Sequence, residues 1–248
     1  MRIRAAVEHN EMGYLIYAEN LPGAFTRGRT REEALDKLPD EVKRYLLWAT
    51  GAVPEGMTAD IQVVQEEKSS LDIHQADSEI IFDSEKTPLS EEEYRKMRDL
   101  AFKSARDFRM LYDSIPEPDR TSLPVRQCFY GHVPRTAREM YIHTNQVTGS
   151  YLDGLVDIRN LQDIYDNRLA AFRQLEGVSG YLDNKVYEHP YGEPWSLKKA
   201  LRRFLWHDRI HAKAMYRMAR GIWGETIANP FHFDVTFGSG GIIFYKKY

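Results

Sequence analysis

The sequence predicts two regions of different fold class, a small α+β domain followed by an all-α four-helix bundle. In residues 1–66, short β-type runs flank a single helical segment. In residues 90–223, apolar side chains recur at the three-to-four spacing of amphipathic helices. Residues 67–89 are polar and acidic, which predicts a linker between the two domains. Residues 224–248 then form a C-terminal tail.

The N-terminal domain is predicted to hold a sheet of three or more antiparallel strands covered by one helix. The predicted strands are residues 2–7, 14–18 and 59–65, and the predicted helix is 31–48. Thr30 and Glu33 form a capping box, in which a hydroxyl and a carboxylate satisfy the first free amides of the helix. Gly51 follows the last apolar position and ends the helix.

The second domain is predicted to contain four helices, which together make a bundle. Their expected ranges are residues 90–115, 136–155, 160–177 and 196–223. Capping boxes open the first two of these helices, at Ser90 and at Thr136, and Pro116 ends the first. Two short strands are expected outside the bundle, at residues 79–82 in the linker and at 242–245 in the tail, the latter against a sheet edge.

Composition and charge exclude several classes of function. Residues 1–66 hold eight basic and eleven acidic side chains, so they lack the positive field that phosphate binding needs, and DNA binding is not expected. No apolar run approaches the roughly 20 residues of a membrane span, and the N-terminus lacks the apolar segment of a signal peptide. We therefore expect a soluble, bacterial protein of the cytoplasm that does not bind membranes.

The single cysteine, Cys128, limits the metal chemistry. One thiol allows neither an intramolecular disulfide nor a multi-thiolate zinc site, so a metal ion would need nitrogen and oxygen ligands. Cys128 stands beside Phe129 and Tyr130, and a buried structural thiol is the expected role.

Three histidines are the candidate metal ligands. His207 and His211 are four residues apart on the last predicted helix, so they lie on one face, together with Phe204. His143 falls on the apolar face of the second predicted helix, the same face that carries Tyr151. Three imidazoles in one apolar interior are costly unless they have partners, and a divalent ion is a suitable partner. Three protein nitrogens also leave coordination positions open, as in reactive metal sites.

The other five histidines are weaker candidates. His9, His74 and His132 stand in polar or loop segments, and we expect no functional role for them. His189 and His232 are expected either to be structural or to lie near the open coordination positions.

Four further side chains stand close to the predicted ligands in the sequence. Asp208 and Arg209 are expected on other faces of their helix, as supporting or surface charges. Tyr141 and Trp206 are expected to be core aromatics.

Residues 14–48 resemble the HicB-like antitoxin domain. The resemblance rests on Leu21-Pro22-Gly23 and on the helix start Gly28-Arg29-Thr30-Arg31-Glu32-Glu33-Ala34. It covers roughly a quarter of the chain. It implies a β-β-β-α sheet with one face covered by the helix.

Residues 90–223 resemble the DinB-like superfamily of four-helix bundles, which includes thiol-dependent S-transferases and maleylpyruvate isomerase-like enzymes. The matching pattern is one histidine on the second helix, His143, and the pair His207 and His211 on the last. The resemblance implies a divalent metal ion, zinc or nickel most often, held by these three residues. It also implies a low-molecular-weight thiol as a co-substrate and a homodimer.

Three functions remain open from the sequence. The leading hypothesis is a metal-dependent enzyme that acts on a small-molecule substrate, either a thiol transferase or a hydrolase, with no general base assigned. The alternative is a non-catalytic interaction protein that binds a partner chain through its HicB-like region. The weakest is a DNA-binding regulator, which the acidic N-terminal segment disfavours.

Overall fold

The protein combines a four-stranded mixed sheet with five α-helices, as seen in a computed structural model that describes residues 1–73, 77–128, 131–153, 155–157, 163–190, 192–237 and 243–245. In chain order, the elements are β1 (Arg2–Asn10), β2 (Gly13–Ala18), β3 (Phe25–Gly28), α1 (Arg31–Thr50), β4 (Asp60–Lys68), α2 (Glu91–Asp113), β5 (Gln127–Cys128), β6 (Gly131–His132), α3 (Ala137–Tyr151), α4 (Ile164–Leu175), β7 (Tyr187–Glu188), β8 (Pro194–Trp195), α5 (Leu197–Trp223), β9 (Val235–Phe237) and β10 (Ile243–Tyr245). The predicted α+β class is thus confirmed.

The chain divides into two compact units, each assembled from separate stretches of sequence. The first unit comprises Met1–Ser90, Leu182–Arg202 and His232–Tyr248. The second comprises Glu91–Tyr181 and Arg203–Phe231. The first six residues of α5 therefore belong to the first unit, and the remainder of α5 belongs to the second. In the described part of the chain, no helix is both long and apolar enough to span a bilayer.

The sheet of the first unit has the strand order β3-β2-β1-β4, and it is mixed. β2 is antiparallel to both of its neighbours, β1 and β3, but β4 pairs with β1 in parallel, from Arg2 opposite Asp60 to His9 opposite Lys68. The prediction of a wholly antiparallel sheet is therefore wrong. The reason is connectivity: α1 returns the chain to the end of the sheet where β3 began, so the next strand runs in the direction of β1.

Helix α1 begins after the predicted N-cap Thr30, but the Glu33 carboxylate binds the amide one residue before that cap and does not complete the predicted capping box. The Thr30 hydroxyl accepts a hydrogen bond from the Glu33 amide at 3.1 Å, and the Glu33 carboxylate accepts one from the Arg29 amide at 2.8 Å. Gly51 ends the helix in the left-handed region, with φ of 80°, where glycine avoids the steric cost that other residues pay. The inner face of the helix buries Leu38 and Val42.

Residues 67–89, expected to be a linker, contribute buried side chains to the first unit. Residues 67–68 extend β4, and Ile80, Ile81 and Phe82 are buried. The strand expected at residues 79–82 is absent from the described structure, which has irregular backbone there and a 3₁₀ turn at Asp83–Lys86. Glu85 is buried in an ion pair with Arg202, whose guanidinium lies 4.0 Å from the centre of the Phe82 ring.

Two of the predicted helices differ from the structure in detail. α3 ends at Tyr151 with Leu152 as its C-cap, four residues before the predicted end. α4 begins at Ile164, after the N-cap Asp163, and part of the predicted start at residues 160–162 lies outside the described residues. The buried face of α4 also includes the polar side chains of Asn167 and Arg168, which the spacing of apolar residues does not indicate.

The C-terminal strand prediction is confirmed for Ile243–Tyr245, and Ile242 lies outside the described residues. This strand pairs with β9 in a two-stranded antiparallel ribbon, with Tyr245 opposite Val235, and not with the edge of the four-stranded sheet.

Candidate metal centre

Helices α3 and α5 bring His143, His207 and His211 together inside the second unit. One ring nitrogen from each histidine lies within 4.8 Å of the others. The closest pair is Nε2 of His143 and Nε2 of His207, which are 3.1 Å apart. The ring centres are separated by 5.0 Å for His143 and His207, 4.7 Å for His143 and His211, and 4.5 Å for His207 and His211. The structure therefore gathers the three histidines that the sequence singled out.

Local sequence explains why each helix presents its histidine in this way. The start of α3 is fixed by Thr136, whose hydroxyl accepts a hydrogen bond from the Glu139 amide at 3.1 Å while the Glu139 carboxylate accepts one from the Thr136 amide at 3.0 Å. On α5, the i, i+4 spacing stacks His207 and His211 on consecutive turns. The Tyr151 ring, from the last turn of α3, meets the His207 ring edge to face with centres 5.8 Å apart.

All three imidazoles are held in their neutral form near pH 7. Burial lowers the pKa of His143, and burial together with His143 lowers the pKa of His211 to about 3. Burial lowers the pKa of His207 well below its usual value. The nearby side chains of His211 and His143, and then of Arg203 and Arg168, lower this pKa further. Neutral imidazole is the form that binds a metal ion.

The spacing of the nitrogens fits a shared divalent ion. With metal–nitrogen bonds of about 2.0–2.1 Å, two imidazole nitrogens on one tetrahedral ion lie about 3.3–3.4 Å apart. The 3.1 Å between His143 Nε2 and His207 Nε2 is close to that value. The His211 nitrogen lies within 4.8 Å of the other two, so a small side-chain rotation brings it to the same spacing. His207 Nδ1 is buried without a hydrogen-bond partner among the described residues, so this imidazole still has one nitrogen to satisfy. The donor set of three neutral imidazoles suits zinc, nickel or iron.

Asp208 and Arg209 are buried, with 0% and 1% of their surface exposed, so a surface role for these charges is wrong. The Asp208 carboxylate accepts two hydrogen bonds from Arg168 on α4, each 2.6 Å long. Arg168 also donates to the Ala101 carbonyl of α2 at 3.0 Å. Because Asp208 follows His207 directly, this network connects the ligand-bearing turn of α5 to two other helices. Sequence reasoning did not find Arg168, since only the fold reveals a partner 40 positions away.

The second unit also contains three buried hydroxyl groups that the sequence did not single out. Ser104 on α2 and Thr144 and Thr148 on α3 are fully buried, and their hydroxyls have no hydrogen-bond partner among the described residues. Thr144 directly follows His143. Buried polar groups in this state are often satisfied by an ordered water or a ligand.

The expectation that Tyr141 and Trp206 are buried aromatics is confirmed, with 7% and 3% of their surface exposed. Tyr141 makes contacts with two other helices. Its ring stacks on Tyr112 of α2 with centres 4.4 Å apart, and its hydroxyl accepts a hydrogen bond from the Ile164 amide of α4 at 3.1 Å.

The remaining histidines do not belong to this cluster as far as the structure describes them. His9 stacks on Tyr14 with ring centres 5.2 Å apart, and His132 is exposed and contacts the Gln127 side chain. Two others are in the first unit: His189 is buried against Trp195, and His232 has a positive φ of 58°. His74 and the side chain of Cys128, which was expected to be buried, lie outside the described residues.

Comparison with known proteins gives no match. No protein-family model fits the chain, and no curated protein or solved structure is significantly similar to it.

Proposed function

We propose that this protein is a metal-dependent enzyme whose active site is built around His143, His207 and His211. The single observation that carries the proposal is the convergence of three neutral imidazoles from two helices, one buried at His207 and the others at least partly buried, with ring nitrogens within 4.8 Å of one another. Such a cluster is costly to bury without a partner, and a divalent cation compensates that cost. The resemblance of residues 90–223 to DinB-like four-helix bundles supports the same assignment, with zinc or nickel as the metal.

The residues of this chain have separate roles in the proposal. His143, His207 and His211 hold the ion and leave at least one position open for an exogenous ligand. When bound, the ion supplies Lewis acidity that lowers the pKa of a thiol or water, which makes a nucleophile near neutral pH. The Arg168–Asp208 pair keeps His207 oriented, and Tyr151 shields one side of its ring from water. The proposed reaction class is transfer of a low-molecular-weight thiol to an electrophile, or hydrolysis by the same type of site.

Metal content tests this proposal. Protein purified without an affinity tag is analysed by inductively coupled plasma mass spectrometry, after dialysis against metal-free buffer. We expect close to one equivalent of zinc or nickel in the wild type and a large loss in His207→Ala. The matched control is His132→Ala, because His132 is an exposed histidine of the same unit that lies outside the cluster. Metal-free wild-type protein that also takes up neither ion on addition would overturn the proposal.

A further inference from the structure

Three hydroxyl groups in the interior of the second unit have no role in holding the metal ion. Ser104 on α2 and Thr144 and Thr148 on α3 each have 0% of their surface exposed. A serine or threonine inside a helix commonly donates to the carbonyl one turn back, but the described structure gives these three hydroxyls neither that bond nor any other. A hydroxyl in this state costs stability, because it has lost water and gained no partner. Three of them in one core are suited to bind a polar ligand.

Helix α3 directs its two buried threonines towards the centre of the bundle. Thr144 stands between His143 and Asn145 in the chain, and successive helical residues are rotated by about 100° around the helix axis. His143 contacts His207 on α5, and the Asn145 side chain accepts a hydrogen bond from Asn167 on α4. Thr144 thus points between α5 and α4, into the interior that the helices share. The threonine one turn later lies on the same face.

Polar contacts from all four helices of this unit lie at one level of the bundle. Arg168, which follows the asparagine that contacts α3, donates to Asp208 on α5 and to the Ala101 carbonyl on α2. Asp208 is the neighbour of the metal ligand His207, and Ser104 is one turn beyond Ala101, about 4.5 Å along its helix. The hydroxyls of α2 and α3 are therefore at the level of the histidine cluster. The Nε atom of Arg168 is a further buried donor that has no hydrogen-bond partner among the described residues.

The chemistry of this level favours an oxyanion as the ligand. Its groups without partners are three hydroxyls, which can donate, and one guanidinium N–H, which can only donate. The charge of Arg168 is matched by Asp208, whereas three neutral imidazoles leave both charges of a bound divalent ion uncompensated. Hydrogen-bond donors beside an excess of positive charge stabilise an oxyanion. An apolar or cationic ligand would leave these donors unsatisfied.

We propose that Ser104, Thr144 and Thr148 form an oxyanion subsite, in which their hydroxyls donate hydrogen bonds to a small oxyanion, such as a carboxylate, bound at the open position of the metal ion. This inference rests on the proposed metal site and deepens it, because it names the ligand class of that site and the residues that select it.

Optical titration of the cobalt-loaded protein tests the subsite without measuring turnover. Anions that bind cobalt change its visible absorption, and two monoanions are compared, acetate and thiocyanate. Acetate brings a second oxygen that accepts hydrogen bonds, whereas the sulfur of nitrogen-bound thiocyanate is a weak acceptor. We expect Thr144→Val to lower the affinity for acetate about tenfold, in line with the loss of a hydrogen bond to a charged group, and to leave the affinity for thiocyanate within about twofold.

Thermal melts of the metal-loaded protein without added anion give a second, independent readout. Thr144→Val keeps the shape of the side chain and removes a hydroxyl that has no partner, so the midpoint should rise by about 2–4 °C. Thr148→Val and Ser104→Ala should show the same combination of higher stability and weaker acetate binding. The matched control is Thr50→Val, whose hydroxyl already donates to the Leu46 carbonyl at 2.8 Å. This control should keep the wild-type affinities and should not be stabilised.

Cobalt stoichiometry is recorded for every variant, so that loss of the metal is separated from loss of the subsite. A lower melting midpoint together with unchanged acetate affinity in the three variants would show that the hydroxyls are structural or hold only water, and would overturn the subsite. Failure of the wild-type cobalt protein to bind acetate would also overturn it, while the metal site stands. If no cobalt, nickel or zinc binds to the wild type, both the metal site and the subsite are wrong.

Discussion

Asp208 accepts hydrogen bonds from both terminal nitrogens of Arg168 at 2.6 Å, and neither side chain has any solvent exposure. The pair lies one residue from His207 and is extended by the bond from Arg168 to the Ala101 carbonyl. Buried ion pairs of this kind contribute little net stability compared with apolar residues, but removing one partner leaves an uncompensated charge in the interior. The pair therefore acts on the site mainly through the position of α5.

Asp208→Asn tests that role. We expect it to lower the free energy of unfolding by about 3–5 kcal/mol, because Arg168 would remain buried without its counter-charge. Metal affinity should fall as well, since the turn carrying His207 loses its connection to α4. Urea denaturation of the metal-free protein measures the first effect, and competition with a chromophoric chelator measures the second.

Asp99→Asn is the matched control for this change. Asp99 pairs with Arg98 at the surface, where its side chain is 66% exposed, so we expect a loss below about 1 kcal/mol. Equal effects of the two substitutions would show that the buried pair has no special role.

The buried histidines give the metal-free protein a specific pH dependence. Burial lowers the pKa of His211 from 6.5 to about 3, so between these values the unfolded chain binds a proton that the folded chain does not. The stability from this group is present above about pH 6.5 and is lost as the pH falls towards 3. His211→Gln should therefore show a smaller loss of stability between pH 7 and pH 5 than the wild type, measured by urea denaturation with a chelator present. His132→Gln is the control, and an unchanged pH slope in His211→Gln would contradict the prediction.

The capping box of α3 supports the helix that carries His143. Thr136→Ala removes the hydroxyl that accepts from the Glu139 amide, and we expect a loss of about 1 kcal/mol of stability. Chemical denaturation measures it, with Gln146→Ala on the exposed face of α3 as the control. A loss no larger than that of the control would show that the cap is not needed to hold the helix start.

Substitution by alanine should change the stability of the protein in opposite directions at two glycines. A Cβ at Gly28 would lie 2.6 Å from the Ala34 nitrogen and 2.7 Å from the Thr30 carbonyl oxygen, so Gly28→Ala must displace backbone at the start of α1. We expect it to destabilise by about 1–3 kcal/mol, as overpacking usually does. A Cβ at Gly221 in α5 meets nothing within 4 Å, and Gly221→Ala should stabilise by about 0.5–1 kcal/mol through helix propensity. Thermal melts check both, and a shift of the same sign in the two variants would contradict this account.

Local sequence signals predicted most of the helices and strands, but they did not predict which distant strands pair. The Thr30 and Thr136 caps and the Gly51 stop are short-range features, and the structure has helices at those positions. The parallel pairing of β4 with β1 depends on how α1 redirects the chain, which no local pattern encodes.

At the candidate metal centre, too, the sequence predicted the local features and not the contacts between distant parts of the chain. Helical spacing and apolar neighbours were enough to place His143, His207 and His211 on inward faces. The role of Arg168 was missed because it depends on Asp208, a side chain from another helix.

The central claim is that three imidazoles bind one ion, and X-ray absorption at the zinc or nickel edge of untagged protein tests it most directly. We predict a first shell containing three imidazole nitrogens at about 2.0–2.1 Å and one or more oxygen ligands from solvent, with the nitrogen number reduced in His143→Ala. A spectrum without imidazole scattering, or one that is identical in wild type and His143→Ala, would contradict the claim.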